Sequence, residues 1–259
     1  MGELAERFAE HGIVTIPDAL PAALIEPVRQ ELASFGPAAG GRTATAYPLN
    51  LARHGKLSRL RAVACVMDLP AVRHARAELV PHGWTVSDVI GIESAPSPAP
   101  VTPWHADASK PAQQHRIKFY WYLNDVGPEN GAFGYVPRSH RLVAHARRAQ
   151  AGAKMQEYGN FRAAWDGAAL PPDLAALRSE IASHIRADND SDDHYAVAQP
   201  AGTLIVFDER GLHRGGIVAR GRRSVLRVSF MPPAGLRAAA YQVASLIYPS
   251  PMRRLLAAA

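Results

Sequence analysis

The segment Val101-Thr102-Pro103-Trp104-His105-Ala106-Asp107 places an imidazole and a carboxylate two residues apart. In an extended chain, side chains at that spacing project to the same side, so His105 and Asp107 can share a metal ion. Alone the pair is weak evidence, because 11 His and 12 Asp in 259 residues produce roughly 0.5 such pairs by chance. A second element lies downstream. The β-branched run Gly202-Thr203-Leu204-Ile205-Val206-Phe207-Asp208 feeds a glycine-flanked turn that presents His213 ahead of Arg214, Gly215 and Gly216. Ten positions after His213, Arg223 opens another strand-like run, Ser224-Val225-Leu226-Arg227-Val228-Ser229-Phe230. An arginine at a buried strand end grips a carboxylate with two parallel hydrogen bonds, which suits a dicarboxylate cosubstrate. Two histidines and one carboxylate on one face of a metal leave three positions open, the arrangement used by non-haem iron(II) oxygenases. A zinc hydrolase can use the same three ligands, but it has no need of Arg223 and works without oxygen.

The elements that must hold these residues read as strands. Residues 83–139 and 196–232 are dominated by short strand-like segments separated by Gly, Pro and Asn, the pattern of a sandwich or barrel. Within them, Phe119, Trp121 and Leu123 alternate with Lys118, Tyr120 and Tyr122, giving one strand with two distinct faces. Helices precede this block. Residues 3–12 predict a short helix and Gly12-Ile13-Val14-Thr15-Ile16 a strand. Leu24, Val28, Leu32 and Phe35 predict a second helix, with Pro27 acceptable only in its first turn, and the segment closes at Gly36 to Gly41. A further helix spans about 70–80, with Pro70 at its first position and Val72 and Leu79 inward. Residues 141–195 differ in kind, carrying Leu174, Leu177, Ile181 and Ile185 at helical spacing before the polar run Asp188-Asn189-Asp190-Ser191-Asp192-Asp193. Bracketed by strands that need each other, they read as a helical insertion into one domain spanning 1–259, with the polar run a mobile lid.

Composition bounds the function class. The single cysteine, Cys65, excludes an internal disulfide framework and any multi-cysteine metal site, and fits a reducing compartment. The N-terminus shows no basic-then-apolar signal pattern and no apolar run approaches a membrane span, so a cytoplasmic location is expected. The net charge of +6 comes from arginine dispersed through an alanine-rich chain, with lysine only at 56, 110, 118 and 154. It defines no nucleic-acid-binding face, and a small molecule is the expected partner. The sequence carries no signal of oligomeric state.

Taken in order, His105-Ala106-Asp107, His213 and Arg223 resemble the phytanoyl-CoA dioxygenase-like family of Fe(II)/2-oxoglutarate-dependent oxygenases. The resemblance extends to Tyr122-Leu123-Asn124-Asp125-Val126-Gly127-Pro128-Glu129-Asn130-Gly131 leading into Val136-Pro137-Arg138-Ser139-His140, and to the opening helix with Gly12-Ile13-Val14-Thr15-Ile16-Pro17. It implies a mainly β fold with flanking helices, a double-stranded β-helix or jelly-roll, cupin-like barrel. By resemblance, His105, Asp107 and His213 hold Fe(II). The cosubstrate 2-oxoglutarate chelates that iron while Arg223 takes its far carboxylate, and O2 uses the remaining position. The implied reaction hydroxylates an aliphatic C–H with release of succinate and CO2. Lys118 and Tyr120, on the strand face expected to look into the barrel, are candidate contacts to 2-oxoglutarate or substrate, with ordinary barrel filling as the alternative. Arg227 shares a strand face with Arg223 and is its rival, roughly 13 Å further along the strand. Asp208 and Arg210 are a candidate pair steadying the His213 turn, with a surface ion pair as the alternative, and Trp104 reads as core. His82, His115, His140 and His194 have no partner at ligand spacing. Two departures stand out: a family Gly before Ser139 is Arg138, and the hydroxyl often found two residues after the distal histidine is replaced by Gly215.

Other readings remain open at this point. A halogenase of the same fold lacks the carboxylate ligand, which Asp107 argues against. A jelly-roll that only binds a ligand, or a nucleic-acid demethylase using the same iron site, would need separate tests.

Overall fold

In the computed structural model, residues 2–33, 44–49, 61–107, 116–149, 158–166, 169–187 and 192–232 are described. Helix α1 (Glu3–His11) ends where Gly12 adopts a left-handed φ of 72° and returns its N–H to the Phe8 carbonyl. That turn releases the chain into β1 (Ile13–Ile16). Helix α2 (Ala22–Ala33) buries Val28 and Leu32. Pro27 lies inside it and not in the first turn, so the sequence expectation is corrected here. The ring removes one backbone hydrogen bond, and the apolar side that seats Leu32 over Gly91 outweighs the loss.

Next come β2 (Ala44–Leu49), α3 (Arg61–Asp68) and α4 (Pro70–Leu79). Pro70 sits in the first turn of α4, and Val72 and Leu79 are buried. The start of α3 is capped from α2, where the Glu31 carboxylate accepts the Ala62 and Val63 N–H groups. The remaining elements are β3 (Thr85–Ser94), β4 (Thr102–His105), β5 (Ile117–Tyr122), β6 (Phe133–Tyr135), α5 (Ser139–Ala149), α6 (Tyr158–Asp166), α7 (Pro172–His184), β7 (Ala196–Val197), β8 (Leu204–Asp208), β9 (His213–Gly215) and β10 (Arg223–Met231).

The strands form two antiparallel sheets, one ordered β1-β8-β5-β10-β3-β2 and the other β4-β9-β6-β7. From β3 onward the chain repeatedly crosses between them, giving the jelly-roll with flanking helices that the sequence implied. Four layers result. Helices α1 to α4 cover the outer face of the larger sheet through Phe119, Trp121, Leu226, Val228 and Phe230. Between the sheets lie Tyr120, Tyr122, Phe133, Tyr135, Ile205, Phe207 and Val225. Helices α5 to α7 cover the smaller sheet through Leu142, Val143, Trp165, Leu177 and Ile181, packed with Trp104 and Leu212. Covered on both faces, β5 is buried at every residue. The Tyr122 hydroxyl ties the sheets together, donating to the Val197 carbonyl at 2.8 Å and accepting the Phe133 N–H at 2.8 Å.

Gly36 to Gly41, His115 and Asp188 to Ser191 of the expected lid lie outside the described residues. Asp192 and Asp193 are placed: Asp192 Oδ2 lies 2.7 Å from His184 Nδ1, and Asp193 pairs with Arg214 at 3.4 Å. Among the described residues no helix is long and apolar enough to cross a membrane.

Candidate metal centre

Cross-strand register brings the proposed ligands together. In the β4–β9 pair, His105 lies directly opposite His213. Directly opposed side chains on one face are near neighbours, and the two rings are 4.3 Å apart between centroids. Asp107 follows β4 by two residues, its backbone N–H held by the Glu209 carbonyl at 3.0 Å. His105 Nε2 is 3.7 Å from Asp107 Oδ1 and His213 Nε2 is 3.8 Å from Asp107 Oδ2. One ligand atom from each of the three residues lies within 4.8 Å of the others.

Each histidine is held as a metal ligand should be. His105 Nδ1 lies 2.7 Å from the Pro103 carbonyl and His213 Nδ1 lies 2.8 Å from the Gly211 carbonyl. A carbonyl only accepts, so each Nδ1 carries the hydrogen and each Nε2 presents a lone pair toward Asp107. Burial pushes the His105 imidazole below its ordinary pKa despite the opposing pull of Asp107. His213, wholly buried, is pushed well below by burial and then by His105 and Lys118. For Asp107, burial acts upward, but Lys118, His213 and His105 outweigh it and hold the carboxyl well below the usual carboxylate range. The site thus presents two neutral imidazoles and an ionised carboxylate, the protonation states a divalent cation requires.

The turn carrying His213 is fixed from several sides. Asp208 accepts the Arg210 backbone N–H at 2.9 Å and grips the Arg210 guanidinium with both carboxylate oxygens. The Tyr135 hydroxyl donates to the Asp208 carbonyl at 3.2 Å, and the Leu212 N–H is taken by Ser139 Oγ at 2.7 Å. Gly211 is demanded by that packing, since a Cβ there would lie 2.1 Å from the Tyr135 hydroxyl. Trp104 is core, buried between Arg214 and the α5 to α7 layer.

Both departures from the family pattern have visible settings. Arg138 sits in the left-handed region at φ 67°, where glycine is unstrained and arginine is not. At Gly215 a Cβ would lie 2.8 Å from Val101 Cβ, so this chain leaves little room for a side chain there.

The barrel-facing residues of β5 and β10 fall as the alternation predicts. Tyr120 is buried beside Phe133 and Phe207. Lys118 donates a hydrogen bond to Asp107 and lies 3.4 Å from Glu209. Arg223 is 1% exposed. It donates to the Gly131 carbonyl and, at 3.3 Å, to Ser94 Oγ, and no carboxylate among the described residues pairs with it. Arg227 instead lies 3.4 Å from Asp88, which also accepts the Ser229 hydroxyl at 2.8 Å. Of the histidines set aside, His140 joins α5 to α1 through the Ala9 carbonyl, and His194 stacks on His184 with rings 3.7 Å apart.

The sequence reading missed Glu209, Asp88 and Arg116. Glu209 was findable, because it continues the inward alternation of Ile205 and Phe207. Asp88 was not. The ladder between β3 and β10 shifts at Ser229/Phe230, leaving Ser87 as an extra residue, so that Val86 and Val89 both face the helices.

The chain matches the family described as phytanoyl-CoA dioxygenase (PhyH) over residues 8–222. Among solved structures it is similar to the non-haem α-ketoglutarate-dependent carbocyclase SnoK from nogalamycin biosynthesis, at 18% identity and a TM-score of 0.60, covering 90% of this chain and 84% of that one. HygX from Streptomyces hygroscopicus, with nickel and 2-oxoglutarate bound, is similar at 16% identity and a TM-score of 0.58, covering 90% and 87%. The epimerase SnoN, in complex with Fe3+ and α-ketoglutarate, follows at 17% identity and a TM-score of 0.55, covering 89% and 82%. At these identities the likeness is one of fold. No functionally curated protein matches the chain.

Proposed function

Since the chain belongs to the phytanoyl-CoA dioxygenase family, we propose that it is an Fe(II)- and 2-oxoglutarate-dependent oxygenase acting on an aliphatic C–H of a small-molecule, biosynthetic substrate. The observation that carries this reading is the convergence of His105 Nε2, Asp107 and His213 Nε2, with each Nδ1 committed to a backbone carbonyl. Nitrogen and carboxylate donors on one face suit iron(II) and leave room for a chelating keto acid. Solved neighbours bind nickel or Fe3+ together with the keto acid, which supports the same loading here.

When bound, iron with 2-oxoglutarate and O2 supplies the oxidising power; the balance is R–H, 2-oxoglutarate and O2 in, and R–OH, succinate and CO2 out. The protein places and shields the reactants. His105, Asp107 and His213 hold the metal. Arg223 is proposed to take the far carboxylate of the cosubstrate. A buried guanidinium with no carboxylate partner is costly unless an anion joins it. The family match stops one residue short of Arg223, so its role rests on these surroundings. Tyr120 is read as a second contact to the cosubstrate, since its hydroxyl donates no hydrogen bond to a described residue and its surroundings include the charges of Arg223 and Arg227. Lys118 stands at the metal-proximal end, beside Asp107. The chain is read as one oxygenase domain over 1–259, located in the cytoplasm, with the 141–195 insertion setting substrate choice.

The test is anaerobic addition of iron(II) and 2-oxoglutarate, watched for the visible metal-to-ligand charge-transfer band, followed by a panel of small molecules and single-stranded nucleic acids scored by succinate release. Absence of the band, together with no joint effect of metal and keto acid on thermal unfolding, would leave a ligand-binding jelly-roll instead.

A further inference from the structure

Six charged side chains of alternating sign run from the metal centre across the inner face of the larger sheet. Lys118 Nζ donates to Asp107 Oδ2 and lies 3.4 Å from Glu209 Oε2. Arg116 is 3.7 Å from the same Glu209 oxygen and 3.8 Å from Asp88, and Arg227 closes the series on Asp88 at 3.4 Å. Glu209 is fully buried and, among the described residues, neither of its oxygens accepts a hydrogen bond of ordinary geometry. Its compensation comes from the ammonium of Lys118 and the guanidinium of Arg116. Lys118, 3% exposed, therefore cannot swing to solvent without stranding a buried carboxylate. The Asp107 side chain, by contrast, is 31% exposed, and burial alone does not fix its orientation.

We propose that Lys118, held in place by Glu209, is a positioning residue that confines Asp107 to binding the metal through one oxygen. This rests on the metal-centre reading above. Nζ engages Oδ2, whereas Oδ1 accepts no hydrogen bond from the described residues and faces His105 Nε2. The distinction matters because coordination positions are few. Two imidazoles and one oxygen leave three of six positions open. A carboxylate that rotates to chelate with both oxygens leaves two, so a keto acid must either displace the second oxygen, which weakens its binding, or fill both positions and leave none for oxygen. A charge-assisted hydrogen bond to one carboxylate oxygen resists that rotation.

The probe is Co(II), whose visible bands report coordination number, with 2-oxoglutarate titrated anaerobically into wild type, Lys118→Met and Glu209→Gln. Lys118→Met should still take up Co(II), show altered bands, and need at least tenfold more 2-oxoglutarate for half-saturation. Glu209→Gln, which keeps the volume but removes the charge that holds Lys118, should move both readouts the same way by at least threefold in 2-oxoglutarate. If Lys118→Met loses its cooperative thermal transition, Glu209→Gln decides alone. Wild-type bands and wild-type 2-oxoglutarate requirement in whichever folded variant is scored would overturn the proposal. A wild-type protein that binds neither Co(II) nor 2-oxoglutarate would instead overturn the metal-centre reading.

Discussion

Replacing Arg223 by alanine removes a guanidinium that is 1% exposed and, among the described residues, bound only to the Gly131 carbonyl and Ser94 Oγ. Two effects on the empty protein oppose each other. Taking away a buried, uncompensated cation favours folding, while an orphaned Gly131 carbonyl disfavours it by roughly 1–3 kcal/mol. The melting temperature should therefore shift by no more than a few degrees. Cosubstrate binding is different, because a bidentate charge-assisted contact is lost with nothing in return, at a cost of roughly 2–5 kcal/mol. At about 1.4 kcal/mol per factor of ten, the 2-oxoglutarate requirement should rise about thirtyfold at the least, while metal affinity stays within a few-fold. Arg227→Ala supplies the contrast. Its charge is already matched by Asp88, and it stands roughly 13 Å along the strand from Arg223, so its loss should cost stability more than cosubstrate affinity. Succinate release and the charge-transfer band, each followed against 2-oxoglutarate concentration, give the two numbers. A large effect at Arg227 with a small one at Arg223 would refute the assignment and the register on which it stands.

Alanine at His105, Asp107 or His213 should abolish iron-dependent succinate formation in a chain that still melts cooperatively; turnover retained at saturating iron would remove that residue from the centre. Arg138→Gly should raise thermal stability by about 1 kcal/mol, because φ 67° strains any residue with a Cβ, and the exposed ion pair lost with Glu180 is worth little. A calorimetric scan that shows destabilisation would contradict this. The metal-free protein should lose stability as pH falls below about 6.5, the ordinary histidine value. His213 and His105 are depressed in the fold, so the unfolded chain takes up protons there first. Denaturant melts across pH 7.5 to about pH 5 should show that slope in wild type and a shallower one in His213→Ala.

Much of the site was legible because it obeys alternation. His105 and Asp107 at i and i+2, the inward series Arg223, Val225, Arg227, and the split of Phe119 and Trp121 from Tyr120 and Tyr122 all follow from a period of two. The ionic series behind the metal was legible only in part. Glu209 continued a pattern that was available, whereas the bulge at Ser87 reversed the phase of β3 and hid Asp88 among residues that read as facing the helices. Partner choice across sheets leaves no local trace, so the Lys118 to Asp107 contact could be read only once β4 and β5 were placed. The N-terminal half was the least readable. β2 carries no strong local pattern, the apolar stripe Val63, Val66 and Met67 of α3 went unread, and Pro27 is tolerated mid-helix because tertiary packing outranks propensity.

The strand that carries His105 and leads into Asp107, two of the three candidate metal ligands, lies at the margin of its sheet. Among the described residues β4 is paired on one side only, to β9, and its ladder registers just Thr102 with Gly215 and His105 with His213. So short a seam is the kind of element that opens locally at little free-energy cost. A metal held by the proposed ligands His105, Asp107 and His213 would then be a clasp as well as a reaction centre, closing the long stretch of chain from 107 to 213 into a ring. Amide hydrogen exchange at Trp104 to Asp107 should accordingly slow sharply on metal addition while exchange in β5 does not change. Metal availability would then regulate how long this edge stays exposed to proteases and to pairing with other chains, a form of quality control separate from turnover.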